Sequence, residues 1–292
     1  MMNDIKAQAR PIRAKVPPGL EKYTERIVDA ALSEDAGTGD ITTVSIVGPA
    51  ARGSAVMVAK ESFVLAGLFV ADRVFRHIDP RVSFRPMFKD GDTVRKGQTI
   101  AEVTGRLSTI LTGERVALNF LQRLSGIATL TSAFVKKTEK TGVTILDTRK
   151  TTPCLRPFER YAVRAGGGRN HRFGLFDSVL IKDNHIEAAG GVAIAVSRAR
   201  AGVPAGSLIE VEVTDQRELK EALAAGADII MLDNMSVERI RKAVKLIAKG
   251  ALTEASGSMS LDNVGAVART GVDFISVGAL THSARSVDIS MK

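Results

Sequence analysis

Tryptophan is absent from this chain, tyrosine occurs twice, cysteine once, and aromatic residues make up only 4% of its 292 residues. The single cysteine, Cys154, excludes an intrachain disulfide, which suits a reducing, cytoplasmic setting. No apolar run approaches the ~18 residues of a bilayer crossing, so no membrane association is expected. The first twenty residues are polar and basic, without the apolar core of a secretory signal, and residues 1–19 read as a disordered basic tail. Net charge is +9, from 41 Lys/Arg against 32 Asp/Glu. Nucleic acid would be one meaning of that excess, but no helix carries a basic stripe with interleaved aromatics. An anionic metabolite fits better than a polymer.

What is present is concentrated between Leu146 and Glu187. That stretch holds eight Lys/Arg (Arg149, Lys150, Arg156, Arg160, Arg164, Arg169, Arg172, Lys182), the acids Asp147, Glu159, Asp177, Asp183 and the closing Glu187, the histidines His171 and His185, and Gly166-Gly167-Gly168. Crowded cations are costly unless an anion sits among them, and glycines let backbone approach a ligand closely. A charge run can also be no more than a solvated face. Here the cations directly follow two apolar segments, Thr144–Leu146 and Ser178–Ile181, which read as short buried strands. Polar residues at the C-terminal ends of parallel strands are where barrel enzymes keep their chemistry.

Around this stretch the pattern is strand then helix. Strands are expected at 143–147, 178–182, 208–213, 228–232, 251–255 and 273–277, and helices at 187–201, 215–225, 236–248 and 260–270. That spacing suits βα units closing into a barrel. A Rossmann sheet is disfavoured, because no G-x-G-x-x-G links a strand to a helix. Earlier, residues 20–33 carry apolar positions at helical spacing (Leu20, Tyr23, Ile27, Ala30, Ala31), and Asp40 reads as a loop cap rather than a metal ligand. Residues 52–104 read as short strands around a helix at 71–77. A long helix is expected over 113–140, with Gly126 a candidate break. The phrase DGDTVRKGQTIAEVTG (90–105) resembles the hairpin of biotinyl and lipoyl carriers. It lacks their signature around the lysine, so a shared barrel-sandwich architecture is expected without the carrier function.

The segments DTRKTTP, AVRAGGGRNHRFGL and LIKDNHI resemble the quinolinate phosphoribosyltransferase family. So do 31–43, 113–129, EVEV (210–213), MLDN (231–234), EASGS (254–258) and 275–284, so the resemblance spans nearly everything after residue 20. It implies an α/β chain: an N-terminal α/β sandwich (20–118, joined by a C-terminal strand within 283–292) and an open α/β barrel with TIM-like units (119–282). It implies transfer of phosphoribosyl from phosphoribosyl pyrophosphate to quinolinate, giving nicotinate mononucleotide, pyrophosphate and CO2, with Mg2+ as cofactor and a homodimer sharing active sites.

The resemblance also implies site residues. Arg115, from a neighbouring subunit, Arg149 and Arg172 would hold the quinolinate carboxylates, with His171 and Lys182 near them, since guanidinium pairs with carboxylate in a bidentate way. Lys150 and His282 would face pyrophosphate. Glu212 and Asp233 would hold ribose hydroxyls and Mg2+ and steady positive charge at the anomeric carbon. Glu210 is expected on the opposite face from Glu212. Ser256, Gly257 and Gly278 would cradle the 5′-phosphate. The family usually has glycine where this chain has Cys154 and Ser258, which leaves a nucleophilic Cys154 disfavoured and the phosphate-loop contacts open. Phosphoribosyl pyrophosphate brings about five negative charges and quinolinate two; one Mg2+ leaves about five. Arg115, Arg149, Lys150, Arg172 and Lys182 supply five. Within the enzyme class the rivals are the related protein associated with molybdenum transport and nicotinate phosphoribosyltransferase.

Overall fold

A computed structural model describes residues 17–292; positions 1–16 of the expected tail lie outside the described residues. The chain forms two compact units. The first runs to Ser132 and also takes Thr151–Gly167 and Ser283–Lys292; the second is Ala133–Lys150 with Gly168–His282.

In the first unit, helix α1 (Leu20–Ala36) buries Leu20, Thr24, Val28 and Leu32, one face at four-residue spacing, and Gly37 ends it. The apolar stripe therefore lies one position away from most of the expected one. Asp40 is the N-cap of α2 (Ile41–Ile46), accepting the Thr43 N–H at 2.9 Å and the Thr43 hydroxyl at 2.6 Å. That is the capping role, which satisfies an orphan helix donor. Then come β1 (Arg52–Ala59), β2 (Phe63–Val64), α3 (Leu68–Ile78), β3 (Ser83–Pro86), β4 (Thr93–Val94), β5 (Thr99–Arg106) and α4 (Leu107–Lys137). β1 and β3 flank β5 in an antiparallel sheet, and β2 pairs with β4.

α4 is continuous, so the expected break at Gly126 does not form and the expected boundary at 118/119 falls inside a helix. The glycine serves close approach instead. A Cβ there would lie 1.9 Å from the Arg285 carbonyl oxygen. Gly126→Ala would gain about 1 kcal/mol of helix propensity but must displace that backbone. The expected net result is a loss of about 2–3 kcal/mol, seen as a lower urea midpoint; an unchanged midpoint would contradict it.

The run 151–167 joins the first unit because of α5 (Arg156–Ala165). The scarce aromatics cluster there: Phe158 lies 5.8 Å from Tyr23 and 6.0 Å from Phe120, and Tyr161 is 4.9 Å from Phe69. Glu159 is fully buried, with Arg123 at 2.8 Å and Thr152 donating from its N–H and hydroxyl. Tyr161 donates to Asp90 at 2.6 Å. Gly166 also packs, since a Cβ there would be 2.3 Å from the Ala128 carbonyl oxygen. This glycine therefore serves helix packing and not a ligand, contrary to expectation. Cys154 sits in the same run with φ 61°, and its carbonyl accepts the Tyr23 hydroxyl at 2.6 Å. The left-handed conformation explains why glycine suits this position. Cys154→Gly should keep full turnover and change stability by no more than about 1 kcal/mol; a large loss of activity would reinstate the thiol as a catalytic group.

The second unit contains β6 (Thr144–Leu146), β7 (Val179–Ile181), α6 (Asp183–Ala189), α7 (Val192–Gly202), β8 (Ile209–Val213), α8 (Gln216–Ala224), β9 (Ile229–Asp233), α9 (Val237–Ile247), β10 (Leu252–Ser256), α10 (Val264–Ala268), β11 (Phe274–Ser276) and α11 (Ala279–His282). All six expected strands are present. The helix expected at 187–201 is two helices, parted at Gly190-Gly191, whose φ values are 89° and 143°. The strands form one parallel sheet in the order β6-β11-β10-β9-β8-β7. Arg169 extends it past β6, exchanging bonds with Ile145 and Asp147. β6 and β7 do not pair, so the barrel is open. The last strand, β12 (Ile289–Met291), pairs antiparallel with β1 in the first unit, as expected.

Candidate active site

In a parallel sheet every strand points its C-terminus to the same end, so residues just past the strands share one mouth. Arg149 and Lys150 follow β6, and Lys182 follows β7. Glu212 lies on β8, Asp233 ends β9, Ser256 ends β10 and Gly278 lies just beyond β11. Their separation in sequence is undone by the topology. Lys182 Nζ is 3.2 Å from Glu212 Oε2. Burial pushes the Glu212 carboxyl up, the Lys182 charge pulls it down, and Asp233 and Asp183 push it up again. Burial lowers the Arg172 pKa, and the like charge of Arg149 lowers it further, while Glu210 and Asp177 pull it back up.

The local chain holds these groups in place. The Lys182 N–H donates to His185 Nδ1 at 3.0 Å, starting α6 directly after the strand. The Lys150 carbonyl accepts the Thr281 hydroxyl at 2.8 Å. A Cβ at Gly278 would lie 3.1 Å from Lys150 Cδ and 3.2 Å from His282 Nε2, so a bare glycine lets Lys150 and His282 meet. Gly257 has φ 99°, and a Cβ there would be 2.2 Å from Asn234 Oδ1. Ser258 follows with φ 42°, so it keeps the left-handed conformation that glycine would adopt.

Deeper in the barrel lies a group that residue patterns only half revealed. His171 Nε2 is 3.1 Å from Glu210 Oε2 and 3.6 Å from Glu254 Oε2. Both glutamates are buried. The His171 N–H and the Asn170 amide donate to Asp147, at 2.8 and 2.6 Å. The Arg172 N–H donates to His171 Nδ1 at 2.7 Å. Glu210 thus shares the inward face with Glu212, and the expectation of opposite faces is wrong: strand side chains two apart point the same way. Glu254 was missed although it lies on a strand, two residues before Ser256 on the same inward period. Burial opposes a charged His171, while the Glu210 hydrogen bond and the charges of Glu254, Glu210 and Asp147 pull its pKa up to about 9. Against that pull, a proton on Nδ1 would set a ring N–H against the Arg172 N–H. We take the neutral ring, protonated on Nε2, as the resting form.

Arg115 lies exposed on α4 in the first unit, and Arg156, Arg160 and Arg164 lie on α5 in that same unit. The cationic stretch is therefore divided: Arg149, Lys150, Arg169, Arg172 and Lys182 belong to the barrel unit.

Fold and site together define an open α/β-barrel enzyme with a cation-lined mouth facing a pair of carboxylates. Residues 40–125 match the N-terminal domain, and residues 127–292 the C-terminal domain, of quinolinate phosphoribosyl transferase. The chain belongs to the quinolinate phosphoribosyltransferase family. It is 46% identical over 267 residues to the probable nicotinate-nucleotide pyrophosphorylase (carboxylating) of Bacillus subtilis, covering 91% of this chain and 92% of that one. The chloroplastic nicotinate-nucleotide pyrophosphorylase of Arabidopsis thaliana is 44% identical, over 94% of this chain and 84% of its own. Among solved structures, the nicotinate-nucleotide pyrophosphorylase of Francisella tularensis superposes with a TM-score of 0.90 at 42% identity, over 95% and 97% of the two chains. Human nicotinic acid phosphoribosyltransferase shares the fold alone, with a TM-score of 0.62 at 13% identity over 87% and 73%. Among the described residues, no helix is long and apolar enough to cross a membrane.

Proposed function

We infer that this chain transfers phosphoribosyl from phosphoribosyl pyrophosphate to quinolinate and releases pyrophosphate and CO2, forming nicotinate mononucleotide for NAD synthesis. The observation that carries this reading is the mouth itself: Arg149, Lys150, Arg172 and Lys182 at strand ends, opposite Glu212 and Asp233.

The assigned roles follow from charge and shape. Arg149 and Arg172 take the two ring carboxylates, with His171 and Lys182 beside them, and Arg115 from a second copy completes that set. Lys150 and His282 take pyrophosphate, and Ser256, Gly257 and Gly278 the 5′-phosphate. Glu212 and Asp233 bind ribose hydroxyls and offset the positive charge that grows at the anomeric carbon as pyrophosphate leaves. The pyridine nitrogen then attacks that carbon. Its new positive charge stabilises the electron pair left on C2 when the 2-carboxylate departs as CO2, and C2 then takes up a proton from water to give nicotinate mononucleotide. No covalent enzyme intermediate is needed.

Glu212 and Asp233 offer hard carboxylate oxygens, and the Asp233 charge helps push the Glu212 carboxyl up, a donor set that fits Mg2+. When bound, Mg2+ would neutralise pyrophosphate charge as it leaves. The enzyme works as a homodimer in the cytoplasm.

An ultraviolet assay of nicotinate mononucleotide formation tests the substrate. Quinolinate is expected to be turned over at least about 100-fold better than nicotinate, which leaves cations unpaired. Equal rates with the two would overturn the assignment.

A further inference from the structure

The buried acids Glu210 and Glu254 have no part in the reaction just described. Each is nearly inaccessible to solvent, and each has an Oε1 with no hydrogen-bond partner. Burying a carboxylate with one oxygen unsatisfied is costly, so a stable core would place apolar side chains there.

Both acids converge on one atom, His171 Nε2. A cation among the three is one reading of such a cluster. The other ring nitrogen argues against it. Nδ1 already accepts the Arg172 N–H. An ion on Nε2 would then leave the ring with no proton on either nitrogen, an imidazolate. The neutral ring with Nε2–H fits both ring nitrogens: Nε2–H donates to Glu210, and Nδ1 accepts from Arg172. Asp147 fixes the same segment from the other side through the His171 N–H and the Asn170 amide. Ser276, from β11, faces Glu254, and Glu210 also attracts the Arg172 guanidinium.

We propose that Glu210 and Glu254 are positioning residues for the quinolinate end of the site. They lock the His171 ring in its Nε2–H tautomer, so that Nδ1 anchors the Arg172 backbone and aims its guanidinium at the mouth. The acids thereby act on substrate through His171 and Arg172, which they order, and not by contact. This rests on the assignment of Arg172 and His171 to quinolinate given above.

The test is a set of purified full-length variants: Glu210→Gln, Glu254→Gln, Glu210→Leu and Glu254→Leu. The Leu variants should raise the KM for quinolinate by about tenfold or more, the scale of one lost charged hydrogen bond. The KM for phosphoribosyl pyrophosphate should stay within about twofold. The Gln variants, which keep shape and a polar oxygen, should recover most of the loss. The Gln variants should melt close to the parent, whereas Glu210→Leu should melt lower because it strips the acceptor from the buried His171 Nε2–H. The 15N shifts of the His171 ring, assigned among the four histidines with His171→Gln, should show an unprotonated Nδ1 in the parent and a mixed population in Glu210→Leu. The proposal is overturned if both KM values rise together, if neither moves, or if the parent ring is protonated on Nδ1. If a Leu variant fails to fold, the Gln variants and the parent spectrum still decide it. Should Arg172→Ala leave the quinolinate KM untouched, the substrate assignment has failed instead.

Discussion

Replacing Lys150 with alanine should lower kcat/KM about 10³-fold, with the fold intact. A cation that meets charge developing on a leaving pyrophosphate acts mainly in the transition state, where one preorganised partner is worth about 10²–10³. That corresponds to roughly 3–4 kcal/mol of barrier. The structure separates this effect from a folding defect. The Lys150 side chain is exposed at the strand end, and its backbone is held independently by the Thr281 and Thr148 hydroxyls. Alanine leaves those bonds in place, so the melting temperature should hardly change. Arg149→Ala should lose activity on a similar scale, but chiefly through the KM for quinolinate. A loss below tenfold in both, in well-folded protein, would remove these residues from the chemistry.

The barrel was legible because its strands are short apolar runs followed at once by charge. Thr144–Leu146 before Arg149-Lys150 and Val179–Ile181 before Lys182 needed only that local contrast. The convergence of these cations with Glu212 and Asp233 followed from strand direction, since parallel strands put every C-terminus at one end. The phosphate-loop glycines were legible as glycines, but the reason for Gly257 was not. It lies in Asn234, more than twenty residues away, whose side chain occupies the place of a Cβ.

Three things were hidden. The division of the cationic stretch between units depends on Tyr161 meeting Asp90 and Glu159 meeting Arg123, contacts 71 and 36 residues apart. Gly126 reads as a helix breaker from propensity alone, yet tertiary contact with Arg285 makes it a packing residue within a continuous helix. The Glu210–Glu254–His171 group needed strand register as well as alternation. Alternation alone places Glu210 inward. The pairing of β8 with β9 and of β9 with β10 sets Glu254 level with Glu212, through Met231, so His171 has to reach across one step of the register to meet both Glu210 and Glu254.

Mixing two inactive proteins should restore activity. Arg115 is exposed on α4, in the first unit, while Arg149 belongs to the barrel unit. If it serves a second copy, Arg115→Ala and Arg149→Ala each abolish every site in a homogeneous dimer. In a mixed dimer one site lacks both arginines. The other pairs an intact Arg149 with an intact Arg115 from across the interface. Random exchange at equal amounts makes half the dimers mixed, so roughly a quarter of the sites are whole. Activity should rise to about that fraction after unfolding and refolding the mixture together, and stay near zero when the proteins are refolded apart and then combined, provided the dimers exchange slowly. Two alternatives give different results. If Arg115 serves its own chain, no combination recovers activity, because each subunit still lacks one arginine. If Arg115 is a solvated surface residue, Arg115→Ala is active from the start. Recovery to that fraction therefore reports that each site takes Arg149 from one subunit and Arg115 from another.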